Sequence, residues 1–352
     1  MSRILLIRPS ALGDVARTVP CLVTLRRARP DATIDWLVQD GLGDVVRHHP
    51  ALNNVVDFPR RQFRGLYCRP SVFFDFVTWC RQLRQRRYDL VFDLQGLARS
   101  GVFARATGAE HRVGFANARE LGWFGYNHRY HVRTSLHTVD RMLALLKGHG
   151  LDPVRDMRLY LGPQQQAWQR QFALEHDLTG RPYAVLAPTA KWLCKCWPID
   201  HYIQLARRLL ESRLAGDRLI VLAAPNERAY VQPLLDAFAG QASLLAPATD
   251  VGQMMALIHG AALLVCNDSA PLHIGVGFNR PIVSIFGPTS PALVGPYGRS
   301  DTVLQPPDTC RIPGARYRHH RDDQTLIAQV TVDAAWNMAC QQVRAGKGES
   351  ER

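Results

Sequence analysis

The sequence predicts an α/β protein built as two doubly wound parallel sheets, one after the other along the chain. Short apolar runs of strand length alternate with longer helix-patterned segments. The alternation breaks at an irregular stretch containing Gly150, Pro153, Gly162 and Pro163, and then restarts. A chain of 352 residues also exceeds one typical core and suits two domains. The expected division is 1–162 and 163–324, with a closing helix and polar tail over 325–352.

In the first half, Arg3 to Arg8 reads as a strand, and Pro9 to Asp14 as a turn into a helix from about Val15 to Ala28. Strands follow at Thr33 to Val38 and Asn54 to Phe58, with a short helix between them from Gly41 to His48 and a basic loop from Pro59 to Arg64 after them. Ser71 to Arg87 is helical; Arg84, Arg86 and Arg87 suit its C-terminal dipole and read as a solvated face. Asp89 to Leu94 is a buried strand, and a helix runs to about Thr107. Val113 to Phe115 and His128 to Val132 are weaker strands, and Leu136 to His149 is a helix.

The second half opens with a helix from Gln164 to His176. Strands are expected at Tyr183 to Ala187, Arg218 to Ala223 and Ser243 to Ala246, and helices at Ile199 to Arg213, Glu227 to Phe238 and Val251 to His259. Leu263 to Pro291 then reads strand, loop, helix, strand, loop. Its two strands are Leu263 to Cys266 and Ile282 to Phe286, and its helix spans Ala270 to Phe278. Both loops fall at the carboxyl ends of strands, where open α/β sheets bind ligands, and the helix N-terminus after Ser269 suits a phosphate. A short strand near Thr302 and a helix from Thr325 to Arg344 close the chain, leaving a frayed polar tail from Ala345.

Composition narrows the partners. There are 43 Lys+Arg against 30 Asp+Glu, a formal charge of +13, and Lys occurs only at 147, 191, 195 and 347. Arginine suits bidentate contact with phosphate and carboxylate, so nucleic acid, an anionic membrane face or an anionic small substrate all fit the charge. No aromatic-interleaved basic stripe or recognition motif supports nucleic acid. No apolar run approaches a membrane span, and the N-terminus reads as a first strand rather than a signal peptide. The scattered cysteines suit a reducing compartment. Cys194-Lys195-Cys196 lacks metal-ligand spacing, and His48-His49 and His319-His320 read as surface pairs.

The chemistry-bearing residues sit at strand ends. Asp14, beside Gly13, is either a helix cap or a carboxylate able to take a proton. No G-x-G-x-x-G, P-loop or D-x-D is present. A bound diphosphate would therefore need fixed positive groups, and Lys195 on the loop from Pro188 to Pro198, which also carries Thr189, is the candidate. Glu227 is either a ribose ligand or an acidic first turn. His273, one turn from Ser269, points to the same phosphate or fills the core. Arg60, Arg61 and Arg64 clamp an acidic acceptor or form a solvated loop, and Arg119-Glu120 carries the same ambiguity.

These landmarks, in order, resemble the bacterial heptosyltransferases of glycosyltransferase family 9. The residues that carry the resemblance are Gly13-Asp14, Asp93-Leu94-Gln95-Gly96-Leu97 with Ser100, Gly114-Phe115 with Arg119-Glu120, Lys195-Cys196-Trp197-Pro198, Asn267-Asp268-Ser269 with His273, and Gly287-Pro288-Thr289-Ser290-Pro291. The resemblance implies a GT-B fold of two Rossmann-like domains facing a cleft, with acceptor on the first and nucleotide-sugar on the second. It implies metal-independent, inverting transfer of heptose from ADP-heptose to Kdo on lipid A, with no cofactor, at the cytoplasmic face of the inner membrane. Asp14 would be the base. Lys195 and Ser269 would hold the diphosphate, Asp268 would orient sugar or loop, and Glu227 would meet the ribose; Thr189, His273, Gly287 and Thr289 would complete the donor site. Gln95, Arg119, Glu120 and the Arg60 loop would face the acceptor. The chain departs from the family's usual D-[ST]-G in having Ala270. Another nucleotide-sugar and envelope glycan is the alternative within the family.

Overall fold

Both expected sheets form, each six-stranded and wholly parallel. The computed structural model describes residues 2–66, 68–307 and 321–350; the His319-His320 pair lies outside them. The chain divides into compact units of residues 1–160 and 161–352.

In the first unit the strands are β1 (Arg3–Ile7), β2 (Thr33–Gln39), β3 (Asn54–Phe58), β4 (Leu90–Asp93), β5 (His111–Phe115) and β6 (His128–Tyr130), in the order β3-β2-β1-β4-β5-β6. The helices are α1 (Leu12–Ala28), α2 (Pro70–Gln85), α3 (Ala98–Ala106) and α4 (Thr138–Gly148). β1 is apolar along its length and all but its first residue is buried, as a strand covered on both faces requires. One core cluster joins Leu5, Ile7, Phe58, Phe63, Val91, Phe103 and Tyr126 beneath α2 and α3.

The second unit begins with α5 (Pro163–Glu175) and contains β7 (Ala184–Ala187), α6 (Ile199–Ser212), β8 (Leu219–Val221), α7 (Arg228–Asp236), β9 (Leu244–Leu245), α8 (Val251–Gly260), β10 (Leu263–Asn267), α9 (Ala270–Gly277), β11 (Ile282–Ile285), α10 (Pro291–Val294), β12 (Val303–Leu304) and α11 (Val332–Ser350). Its order, β12-β11-β10-β7-β8-β9, repeats that of the first sheet. In both, the strand order reverses between the first and fourth strands, which opens a crevice at their carboxyl ends. α6 shows how a helix covers such a sheet: Tyr202, Leu205, Ala206 and Leu209 form its buried stripe.

Several expectations are corrected. α1 starts at Leu12, so Asp14 lies inside the first turn, where its carboxylate reaches back to the Ala11 N–H. The expected helix at 41–48 is a single 3-10 turn, Gly43–Val45. The one at 227–238 is a 3-10 turn, Pro225–Glu227, followed by the shorter α7. α11 starts at Val332 because the Thr331 hydroxyl accepts the Ala334 N–H as an N-cap, and it continues to Ser350 through the stretch expected to fray. His49 is not at the surface; it is 6% exposed and packs edge-on against Tyr160.

Candidate active site

In the second unit the loops after β7 and β10, neighbours at the strand-order reversal, carry an ion pair. Lys195 Nζ lies 2.6 Å from Asp268 Oδ2, with side chains 15% and 8% exposed. The Thr289 hydroxyl, from the loop after β11, donates to the same carboxylate oxygen at 2.7 Å. Burial works to raise the Asp268 pKa. Lys195, the Thr289 hydroxyl and nearby His273 outweigh it and hold the carboxyl below its usual range. Ser269 is the residue before α9, with no side-chain bond to the helix's first turn, and His273, one turn on, is buried. Lys195, Asp268, Ser269, His273 and Thr289 are thus gathered at one strand-end crevice.

The β7 loop is held by its neighbours. Asn267, fully buried at the end of β10, accepts from the Trp197 N–H at 3.1 Å and the Tyr202 hydroxyl at 3.2 Å, and donates to the Pro188 carbonyl at 2.7 Å. Gly287 touches the same loop: a Cβ there would meet the Cys194 carbonyl at 2.8 Å and Ile327 Cβ at 3.0 Å. Its lack of a side chain serves this close packing. Thr189 donates to Glu227 Oε2 at 2.7 Å, and that oxygen also accepts the Ala224 N–H at 3.0 Å. Glu227 is therefore a first-turn cap that also holds the β7 loop. Trp192 lies under Lys191, Lys195 and Arg321, at 5.4, 5.8 and 5.2 Å from the ring centre.

In the first unit Asp14 sits between two arginines. Arg8 Nη2 is 3.1 Å from Asp14 Oδ2, and Arg17, a turn further along α1, bonds the other oxygen. Arg8 also donates to the Leu94 carbonyl, beyond β4. Burial pushes the Asp14 pKa up, but Arg8 and Arg17 pull it down further and hold it well below the usual carboxylate range. The Asp14 side chain keeps 23% of its surface exposed. Neither arginine stood out in the sequence, although Arg17 at i+3 from Asp14 was a usable signal.

The expected acceptor residues divide. Arg60, Arg61, Arg64 and Glu120 line one cavity of about 1040 Å³ at the carboxyl edge of the first sheet, with Phe58, Phe63, Phe73, Phe76 and Arg99. Gln95 and Arg119 are not in its lining. Arg119 donates its backbone N–H to the Gly96 carbonyl, at the turn that Asp93 builds by accepting the Gln95 and Gly96 N–H groups. Asp93 itself is buried, accepts the Tyr126 hydroxyl at 2.5 Å and has its pKa raised by burial. Among the described residues no cluster of three His, Cys, Asp or Glu side chains is arranged to hold a metal ion. No described helix is long and apolar enough to cross a membrane.

Comparison with known proteins gives this arrangement a family. The model for glycosyltransferase family 9 (heptosyltransferase) matches residues 77–316, more than half of the chain. Lipopolysaccharide heptosyltransferase 1 of Pseudomonas aeruginosa is 30% identical over 341 residues, covering 92% of this chain and 90% of that protein. The protein of the same name from Escherichia coli O18:K1:H7 is 29% identical, covering 89% and 92%. Among solved structures, E. coli ADP-heptose lps heptosyltransferase II superposes with a TM-score of 0.80 at 21% identity over 99% of this chain and all of that one. An E. coli heptosyltransferase solved with ADP gives 0.75 at 25% identity, covering 97% and 99%. The two-sheet fold is GT-B, and the chain belongs to glycosyltransferase family 9, which makes it a glycosyltransferase.

Proposed function

We propose that this enzyme moves L-glycero-D-manno-heptose from ADP-heptose to Kdo of a lipid A-linked core, with inversion and without a metal. The observation that carries the reading is the Lys195–Asp268–Thr289 cluster beside the α9 N-terminus. An ammonium and a row of backbone N–H groups at a strand-end crevice suit a diphosphate. Solved relatives at 25% identity are described with ADP and with ADP-2-deoxy-2-fluoro heptose, which supports the adenine nucleotide. Relatives named lipopolysaccharide heptosyltransferase 1 support the acceptor class.

In the displacement, an acceptor hydroxyl oxygen bonds to the anomeric carbon as the bond from that carbon to ADP breaks. The hydroxyl proton goes to Asp14, and ADP leaves with the bonding pair. A carboxyl held low by Arg8 and Arg17 is ionised in the resting site but is a weak base. Proton loss therefore comes late, after most of the new bond has formed. Asp268 orients the sugar side, and Glu227 meets the ribose through Oε1 while Oε2 holds Thr189 and the Ala224 N–H; Arg60, Arg61, Arg64 and Glu120 receive the acidic acceptor. The enzyme works at the cytoplasmic face of the inner membrane.

A donor panel with purified acceptor tests the assignment: turnover with ADP-heptose and none with UDP- or GDP-sugars is expected, and the reverse assigns another family 9 substrate. Asp14→Ala should lower kcat by about 10²–10⁴-fold, the range of a general base, with ADP affinity nearly unchanged. Near-normal turnover of that variant would remove Asp14 as the base.

A further inference from the structure

We propose that the start of α2 and the loop before it dock on an anionic lipid bilayer, with Phe73 and Phe74 entering the headgroup boundary and Arg60, Arg61, Arg64 and Arg69 meeting lipid phosphates. This rests on the reading of a lipid-anchored acceptor. Phe73 is 52% and Phe74 67% exposed, with ring centres 6.0 Å apart. The core does not need them. Phe76 and Trp79 of the same helix already turn inward, packing on Phe58, Phe63 and Phe103. All four arginines are exposed, and the first turn of α2 contains no acidic residue.

The patch continues the cavity described above. Phe73 lines it with Arg60, Arg61 and Arg64, and Glu120 lines it too. Leu121, next to Glu120, is 66% exposed, and Trp123 follows at 37%. Two separate segments thus present apolar side chains beside one arginine-lined opening. Among the described residues, the exposed large apolar side chains of the second unit are Leu174 and Leu293.

Charge and composition select the occupant. Exposed arginines match an anionic surface, and aromatic rings with long basic stems are what a bilayer interface accommodates. An acidic protein surface would match the same arginines and aromatics, but the lipid-linked acceptor of the proposed reaction brings a bilayer to this opening.

The test is co-sedimentation of the full chain with phosphatidylcholine vesicles, with and without phosphatidylglycerol. Wild type should bind the anionic vesicles preferentially, and binding should fall as salt rises. Phe74→Asp should lower the partition coefficient at least about tenfold, with Phe74→Ser intermediate. Leu174→Asp is the control and should bind as wild type does. Transfer to a deacylated, water-soluble acceptor without vesicles should stay within about twofold of wild type for Phe74→Asp, which also reports intact folding. Equal vesicle binding by wild type and Phe74→Asp, an equal loss in Leu174→Asp, or no preference for anionic vesicles would overturn the proposal. Failure of wild type to transfer heptose to the soluble acceptor, with vesicle binding as expected, would instead sink the functional reading alone.

Discussion

Lys195→Met and Asp268→Asn should change stability in the same direction and ADP binding in opposite directions. The paired atoms are 2.6 Å apart, and both side chains are largely out of water. Lys195→Met leaves a carboxylate 8% exposed with the Thr289 hydroxyl as its remaining short contact. Losing one partner of a buried pair in this way costs about 3–5 kcal/mol, or roughly 6–20 °C in Tm for a unit of this size. Asp268→Asn leaves an ammonium on a long stem that can turn to solvent, and costs ~1–2 kcal/mol. For ADP, loss of the Lys195 charge should weaken binding about 10–100-fold. Loss of the Asp268 charge removes a repulsion. At about 6 Å and an effective dielectric of about 40 it amounts to ~1.4 kcal/mol, a tenfold tightening. Titration calorimetry with ADP and thermal melts of each variant read both effects. If Asp268→Asn weakens ADP as much as Lys195→Met does, Asp268 is not opposed to the phosphates. An unchanged ADP affinity in Lys195→Met confines that pair to a structural role.

Arg8→Met should raise the Asp14 pKa, because one of the two guanidiniums that oppose burial is gone; the acid limb of the pH–kcat profile should move to higher pH, and an unmoved limb would remove Asp14 from that limb. His49 has its pKa lowered to about 4 by burial, which Arg158 reinforces and Asp156 partly offsets. Burial disfavours its charged form, so its contribution to stability is complete above about pH 6.5 and is lost as pH falls toward 4, at up to ~1.4 kcal/mol per pH unit. His49→Phe should flatten that part of the stability curve, and urea titrations across the window check it. Gly287→Ala forces a methyl against the Cys194 carbonyl and Ile327; a cost of about 1–3 kcal/mol in stability, with several-fold weaker ADP binding, is expected from thermal melts and calorimetry.

Topology was legible because strand–helix alternation is written in composition. β3 and the buried runs at β4 and β10 fall within a residue or so of their expected bounds, as the apolar face dictates. Helix starts were less legible. α1 begins before Val15 because a carboxylate at the third helical position can cap the turn from inside, and α11 begins late because Thr331 outcompetes the residues before it. At the site, residue types at strand ends single out Lys195, Ser269 and Asp14 as candidates and the family resemblance adds Asp268, but neither gives their partners. In the sequence Arg8 reads only as the last residue of a strand. Asn267 enters the sequence reading only within the Asn267-Asp268-Ser269 motif, whereas it ends β10 and clamps the β7 loop. Such contacts join positions about seventy residues or more apart, which no local pattern records.

The repeated sheet order explains why both units handle charge in the same way. Where the strand order reverses, the loops after the first and fourth strands turn to opposite faces and leave backbone and side chains facing a gap. In the first unit a guanidinium from the end of β1 spans that gap, with Arg8 bonding the Leu94 carbonyl after β4 and the Asp14 carboxylate. In the second an ammonium from the loop after β7 spans it, with Lys195 bonding Asp268 after β10. Each cation is thus partly committed to protein oxygens before any anion arrives, so little side-chain ordering is left for binding to cost. Each carboxylate beside it is held ionised. A bare cation at the position of Lys195 would attract phosphate more strongly but would be less fixed, and in the proposed transfer a fixed cation is what the leaving diphosphate needs.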